Sequence, residues 1–130
     1  MNILVGYNAS YVAKSALELA RKHAKAFDAK VYVMISSEGG SKEKLEDVSQ
    51  ARKELESAKE FVEQEGVACE VVQMARGLSP GEDLVRFTKE KSIDHLYVGI
   101  QKKSKTQKLL LGSTAQYVIL KANCPVTTVK

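Results

Sequence analysis

Short apolar runs alternate along the chain with longer segments in which apolar residues recur at helical spacing. The runs have the length and the β-branched content of strands buried on both faces. They are residues 2–7, 29–36, 67–74, 93–99 and 124–129. The helical segments begin near Val12, Lys44, Pro80 and Gly112. This alternation predicts an α/β fold, an open parallel sheet with right-handed crossovers and helices on both faces.

Several residues mark the ends and the buried faces of these helices. We expect Ser10 to cap the first helix, Gly66 to follow the C-cap of the second, and the segment SPGE (79–82) to form a capping box before the third. The predicted buried stripe of the first helix is Ala13, Ala16, Leu17, Ala20, Ala24 and Phe27. That of the second is Leu45, Val48, Leu55, Ala58 and Val62.

Composition and charge narrow the class of protein. The chain has 130 residues and a mass of 14.3 kDa, so we expect a single domain over residues 1–130. Twenty Lys and Arg residues against sixteen Asp and Glu residues give a net charge of +4, a mild excess that favours anionic ligands. The sequence shows no targeting segment, and no run approaches the roughly 20 apolar residues that cross a bilayer. We therefore expect a cytoplasmic protein with no membrane partner.

Residues that carry catalysis or bind metals are sparse. Cys69 and Cys124 lie in apolar runs without a C-x-x-C pair, which predicts buried, reduced thiols. His23 and His95 pair with no evident nucleophile, so we interpret both as structural. The chain contains neither a P-loop signature nor G-x-G-x-x-G. Catalysis therefore has little support, and we expect any hydrolysis of ATP to be slow.

The segment VGIQKKSKTQKLLLGST (98–114) has the order of strand, lysine-containing loop and helix start that can bind a phosphate. Free N–H groups around Gly112, Ser113 and Thr114, together with the helix dipole, suit an anion. The alternatives are that Ser113 caps its helix and that Gly99 ends its strand. The loop has no interleaved aromatic residues, so we do not expect a nucleic-acid partner. The loop contains four lysines, Lys102, Lys103, Lys105 and Lys108. These side chains either bind a phosphate or are exposed to solvent.

Stretches along nearly the whole chain resemble the universal stress protein family. They are ILVGYNAS (3–10), ALELARKHAKAFDAKVYV (16–33), GLSPGEDLV (77–85), IDHLYVG (93–99) and LLLGSTAQYVILKANCPVTTV (109–129). The resemblance implies a Rossmann-like fold, akin to that of the adenine nucleotide alpha hydrolases, with five parallel strands in the order 3-2-1-4-5. It also implies a homodimer paired through the C-terminal strand and, as in many members, the binding of ATP.

The resemblance assigns the phosphate side of a site by position. In members that bind ATP, two glycines and a later Gly-Ser or Gly-Thr pair wrap the phosphates. Gly99, Gly112 and Ser113 match this pattern, whereas Lys102 stands at the second glycine. A side chain at a position of positive φ costs roughly 1 kcal/mol, but a charge-assisted hydrogen bond from lysine returns roughly 1.5–3 kcal/mol. Lys102 therefore either binds a phosphate or blocks it.

The nucleoside side departs from the family pattern as well. Asn8 stands where ATP-binding members have an acidic residue, and its amide can still hydrogen-bond a hydroxyl or an adenine edge. The alternative is a turn residue that bonds its own backbone. Ile35 matches the apolar residue that packs on the base, although an isoleucine there is also typical of core.

Two functions are consistent with these residues. The first is a small homodimeric stress-response module that binds ATP, with Mg²⁺. Its site residues would be Asn8, Ile35, Gly99, Lys102, Gly112, Ser113 and Thr114. The alternative is a dimeric interaction or adaptor protein of the same fold that binds no nucleotide, with Lys102 and Asn8 as marks of the lost site.

Overall fold

The computed structural model of the protein describes residues 1–39, 44–101 and 111–130. In these ranges five strands alternate with four helices. The strands are β1 (Asn2–Gly6), β2 (Lys30–Ser36), β3 (Cys69–Met74), β4 (His95–Gly99) and β5 (Val126–Val129). The helices are α1 (Tyr11–Phe27), α2 (Leu45–Glu63), α3 (Pro80–Glu90) and α4 (Ser113–Lys121).

The strands form one parallel sheet in the order β3-β2-β1-β4-β5. This confirms the expected fold and strand order. Val5 of β1 pairs with Val33 on one side and with Tyr97 on the other. Strand order reverses between β1 and β4, and in sheets of this kind a crevice opens beyond the carboxyl ends of the strands at that point. The fold therefore predicts where a ligand would lie.

Two apolar layers cover the two faces of the sheet, because alternate residues of each strand point to opposite sides. On one face, Val5 and Val33 pack with Leu17 of α1 and Leu55 of α2. The other face carries the second layer. It consists of Leu4, Met34, Leu96 and Val98 with Leu84 and Phe87 of α3 and Val118 of α4. Both faces of the central strands are thus buried, as the continuous apolar runs predict.

Three residues expected in the core are exposed instead. Phe27 is 61% exposed, Leu45 is 85% exposed and Val48 is 38% exposed. Phe27 is the last residue of α1, and Leu45 and Val48 lie in the first turn of α2. A helix of 19 residues is about 28 Å long, whereas the 7-residue strand β2 spans about 23 Å. The apolar stripe of α2 therefore runs past the end of β2, which accounts for Leu45 and Val48, while Phe27 is exposed as the terminal residue of α1.

The predicted helix caps are largely confirmed. The Ser10 hydroxyl accepts a hydrogen bond from the Ala13 N–H, and Ser79 and Glu82 form the complete capping box. Gly66 has the expected positive φ of 76°, but the C-cap of α2 is Gln64, so Gly66 lies one residue later than predicted.

No helix within the described residues is both long and apolar enough to span a membrane.

Candidate functional site

Two adjoining hollows lie at the carboxyl edge of the sheet. The inner hollow, of about 170 Å³, lies between the ends of β1, β2 and β4 and the first turns of α3 and α4. The outer hollow, of about 210 Å³, lies between the first turns of α1 and α4. Asn8, Gly99 and Thr114 line both hollows, so the two form one cleft at the reversal of strand order.

The outer hollow meets the uncapped start of α4. The helix begins at Ser113, its N-cap is Gly112, and no side chain among the described residues caps it. The interpretation of Ser113 as an N-cap is therefore wrong, because Ser113 is already the first helical residue. The first N–H groups of a helix have no partner within the helix and attract anions together with the helix dipole. Ser113 and Thr114 line the hollow at this end, so the arrangement suits a phosphate.

Packing explains one of the two predicted phosphate glycines and not the other. A Cβ atom at Gly99 would lie 2.5 Å from the Val12 carbonyl carbon and 2.7 Å from the Ala13 nitrogen. Glycine is thus required at position 99 because the first turn of α1 packs against the end of β4. Gly112 has an ordinary φ of −65°, and no atom of the described residues lies within 4 Å of the position of its Cβ. Neither backbone strain nor packing against the described part of the chain explains Gly112, which lines the outer hollow together with the start of α4.

Asn8 forms a local turn at the junction of the hollows. Its Oδ1 atom accepts a hydrogen bond from the Ser10 N–H at 3.1 Å, which confirms the alternative that Asn8 bonds its own backbone. The turn leads the chain from β1 into the N-cap of α1. Because Oδ1 is engaged there, the amide nitrogen is the donor that remains for a ligand.

Ile35 and its neighbours face opposite sides of β2. Ile35 packs against the apolar layer of α1 and α2 and is not among the residues that line the cleft. Met34 and Ser36 line the inner hollow instead. Side chains alternate along a strand, so a shift of one residue moves a predicted contact to the other face of the sheet. Lys102 and the other loop lysines, Lys103, Lys105 and Lys108, lie outside the described residues.

A polar network below the inner hollow involves residues that the sequence did not single out. Asp83 of α3 is completely buried, and its Oδ1 atom accepts from Arg76 Nε at 2.6 Å. The Ser36 hydroxyl donates to Asp83 Oδ2. The hydrogen bond to Asp83 raises the pKa of Arg76 above its ordinary value. The sequence held only a weak sign that Asp83 is buried: it lies four residues before Phe87, and therefore on the apolar side of α3.

Comparison with known proteins identifies the family. A sequence model of the universal stress protein family matches residues 1–130. The chain belongs to the universal stress protein family. A universal stress protein from Methanocaldococcus jannaschii is 30% identical over 139 residues, which cover 98% of this chain and 81% of the relative. The resemblance inferred from the sequence is thereby confirmed.

Solved structures agree with the family. A universal stress protein from Archaeoglobus fulgidus superimposes with a TM-score of 0.90 at 36% identity, covering 100% of this chain and 93% of that one. A structure from the same organism, in complex with dAMP, has a TM-score of 0.86 at 34% identity and covers 100% of this chain and 98% of that one. This universal stress protein therefore shares its fold along the whole chain with both.

Away from the cleft, the two histidines of this universal stress protein surround Tyr97. His23 Nδ1 hydrogen-bonds the Tyr97 hydroxyl, and the His95 ring stacks on Tyr97 with centroids 4.6 Å apart. His95 Nε2 also bonds Thr127 Oγ1 at 2.6 Å. Burial, together with the nearby His23, lowers the pKa of His95. These contacts join α1, β4 and β5, which supports the structural interpretation of both histidines.

Both cysteines are free thiols. Cys69 is buried as expected, and burial raises its pKa to about 12. Cys124 is half-buried, which is less than expected, and burial raises its pKa as well. A raised pKa keeps a thiol protonated and unreactive. Within the described residues, no group of three His, Cys, Asp or Glu side chains is placed to hold a metal ion.

Proposed function

We propose that this universal stress protein binds an adenine nucleotide in the cleft, with ATP and Mg²⁺ as the pair to test. The phosphates lie at the start of α4, against Gly112, Ser113 and Thr114. The observation that carries the proposal is the start of α4, which no described side chain caps and which meets the outer hollow beside Gly112, a glycine that touches no other described part of the chain with its Cβ position. Oriented N–H groups with open space in front of them suit a phosphate.

The nucleoside lies over the ends of β1 and β2 in this proposal. The inner hollow is lined by apolar side chains such as Met34, Leu84 and Val98, and apolar walls with a few polar groups are typical of sites for a planar base. The Asn8 amide is a hydrogen-bonding group for the nucleoside. Ser36 lies next to the base, where Ile35 was expected. Lys102 remains a predicted phosphate ligand. The Archaeoglobus fulgidus relative in complex with dAMP, at 34% identity, supports a nucleotide as the ligand.

The biological role that we propose is a homodimeric, cytoplasmic stress-response module whose state depends on the bound nucleotide. One observation favours the alternative, an interaction protein without a nucleotide. Asn8 stands at the position that is acidic in ATP-binding members, and its oxygen is already engaged by Ser10. Titration of the protein with ATP separates the two functions.

The decisive experiment is isothermal titration with Mg·ATP, with mass spectrometry of any ligand that co-purifies. It compares the parent protein with Gly112→Asp. An aspartate at an N-cap bonds the first N–H groups of its helix, so this variant should gain about 0.5 kcal/mol of stability. The same carboxylate occupies the phosphate position and repels the ligand. We therefore expect ATP affinity to fall by at least about tenfold while the melting temperature rises.

The matched control is Lys44→Asp. Lys44 is the N-cap of α2, again without a side-chain cap, and it lines neither hollow. This variant should also gain stability, but it should bind ATP as the parent does. A parent protein that releases no heat at millimolar ATP and purifies without a nucleotide would refute nucleotide binding and favour the adaptor function.

A further inference from the structure

The Ser36 hydroxyl lines the inner hollow, and its hydrogen bond to Asp83 decides whether it donates to a ligand or accepts from one. Ser36, the last residue of β2, lines the hollow and is half-buried. Its hydroxyl contacts Asp83, which is completely buried in α3. Asp83 in turn contacts Arg76. The three side chains thus form a chain that ends at the hollow.

Each link of this chain has a fixed direction. Arginine can only donate, and Arg76 Nε donates to Asp83 Oδ1 at 2.6 Å. An ionised carboxylate can only accept, so the Ser36 hydroxyl must give its one proton to Asp83 Oδ2. The lone pairs of Ser36 Oγ are then all that it can offer to a ligand. Toward the hollow, Ser36 acts as an acceptor and not as a donor.

The position of Ser36 decides which part of a nucleotide would meet it. The phosphates of the proposed complex lie at the start of α4, beside the end of β4. Ser36 lies on β2, which is two strands away from β4 in the sheet, a separation of about 10 Å at the usual strand spacing. A nucleotide that binds its phosphates at α4 therefore reaches Ser36 with its far end, which is the base.

We propose that Ser36, held by Asp83 and Arg76, is a specificity-determining residue that accepts a hydrogen bond from the exocyclic amino group of the base. This inference rests on the proposed function and sharpens its ligand class. An adenine base presents an amino group, whereas hypoxanthine presents a carbonyl oxygen at the same position. Two acceptors facing each other leave both unpaired, so the protein discriminates against the inosine nucleotide.

The first test compares ATP with ITP, each as the Mg²⁺ complex, by isothermal titration. We expect the parent protein to bind ATP at least about tenfold more tightly than ITP. The reason is that the ITP complex lacks one hydrogen bond of the ATP complex and leaves the Ser36 acceptor unpaired. Equal affinities for the two nucleotides would overturn the role of Ser36 and leave the proposed function standing. Failure to bind either nucleotide would overturn both.

The sharpest variant is Asp83→Asn, which replaces one carboxylate oxygen by an amide nitrogen. Arg76 can only donate, so the amide oxygen stays toward Arg76 and the NH₂ group takes the place of Oδ2. That NH₂ group donates to Ser36 Oγ and releases the serine proton toward the hollow. Ser36 then donates to the ligand. We expect the ratio of ATP to ITP affinity to fall at least about tenfold, toward a preference for ITP.

Two further variants separate this role from a structural one. Ser36→Ala removes the acceptor, so ATP affinity should fall toward that of ITP while ITP affinity stays close to the parent value. Asp94→Asn is the control at the opposite edge of the sheet, where the carboxylate accepts from the Asn2 N–H at 2.7 Å, and it should keep the parent ratio. General loosening of the fold would weaken both nucleotides equally, so an unchanged ratio in Asp83→Asn and Ser36→Ala would refute the proposal.

Discussion

The packing around Tyr97 makes the stability of the protein depend on pH. Tyr97 is 1% exposed, with His23 at its hydroxyl and His95 stacked on its ring. His95 is further bonded to Thr127 of β5. A proton added to His95 would place a charge in this half-buried cluster, next to His23. The neutral form of His95 is therefore the one that the fold stabilises.

This cluster predicts a loss of stability at mildly acidic pH. Burial first, and His23 second, lower the pKa of His95 in the folded protein, whereas in the unfolded chain it is about 6.5. The contribution of neutral His95 to the free energy of unfolding is complete above about pH 6.5. It is lost as the pH falls toward the lowered pKa of His95 in the folded protein, because the unfolded chain binds the proton at a higher pH. Melting temperatures at about pH 7.5 and pH 5.5 measure the effect. A His95→Gln variant with the same slope as the parent would contradict it.

The residues in and around the cleft show which details the sequence could predict. The apolar run of β2 predicted a buried strand, but it is apolar on both faces, so it did not reveal which residues face the cleft. Ile35 was chosen, and Ser36 lines the inner hollow instead. Gly99 and Thr114, which the sequence also singled out, line both hollows, and their role as ligands of a nucleotide stays a prediction. The buried Asp83 was missed, since a carboxylate on a helix normally indicates the solvated side.

The start of α3 forms one wall of the cleft. Pro80 and Leu84 of α3 line the inner hollow, and Asp83 between them holds Ser36. The capping box fixes where this helix begins: Ser79 Oγ accepts from the Glu82 N–H at 3.3 Å and donates to Glu82 Oε1 at 2.8 Å. The same two residues thus set the helix start and the position of the cleft wall.

Removal of this cap should destabilise the protein. Ser79→Ala leaves the Glu82 N–H without its side-chain acceptor, and we expect a loss of about 1 kcal/mol in the free energy of unfolding. Urea denaturation measures the loss. The control is Ser57→Ala in α2, an exposed helical position where alanine should be neutral or stabilise by about 0.5 kcal/mol. Equal effects of the two variants would mean that the box does not hold α3.

The elements themselves were predictable because local signals and tertiary packing agree in this chain. Apolar runs, the Ser10 cap and the SPGE box each identified an element that the structure contains. The start of α4 near Gly112 was expected, but the alternative that Ser113 caps the helix was wrong, although serine normally favours the N-cap more strongly than glycine does. Gly112 is the N-cap, and no described side chain bonds the first N–H groups. The local preference for serine thus fails at the point where we place the phosphates.

Strand β5 is an edge strand of the sheet, and one side of its backbone is turned away from the other strands. Leu96 N donates to Pro125 O and Ile100 N donates to Val129 O. A residue in a strand points its N–H and its C=O to the same side, so odd-numbered residues of β5 face β4 and Thr128 faces outward. In the adjacent α4, Ile119 is 44% exposed and Leu120 is 78% exposed. An unpaired edge beside exposed apolar side chains suits a second copy of the chain.

The proposed homodimer is tested by Thr128→Pro. Proline removes the outward N–H that would pair with the partner, but it leaves the bonds between β5 and β4 intact, so the variant should fold and sediment as a monomer. The matched control is Gln73→Pro on the opposite edge, where Val31 N donates to Ala68 O and Ser37 N donates to Met74 O, so that the N–H of Gln73 also faces outward. This control should remain dimeric. A folded Thr128→Pro variant that sediments like the parent dimer would move the interface away from β5.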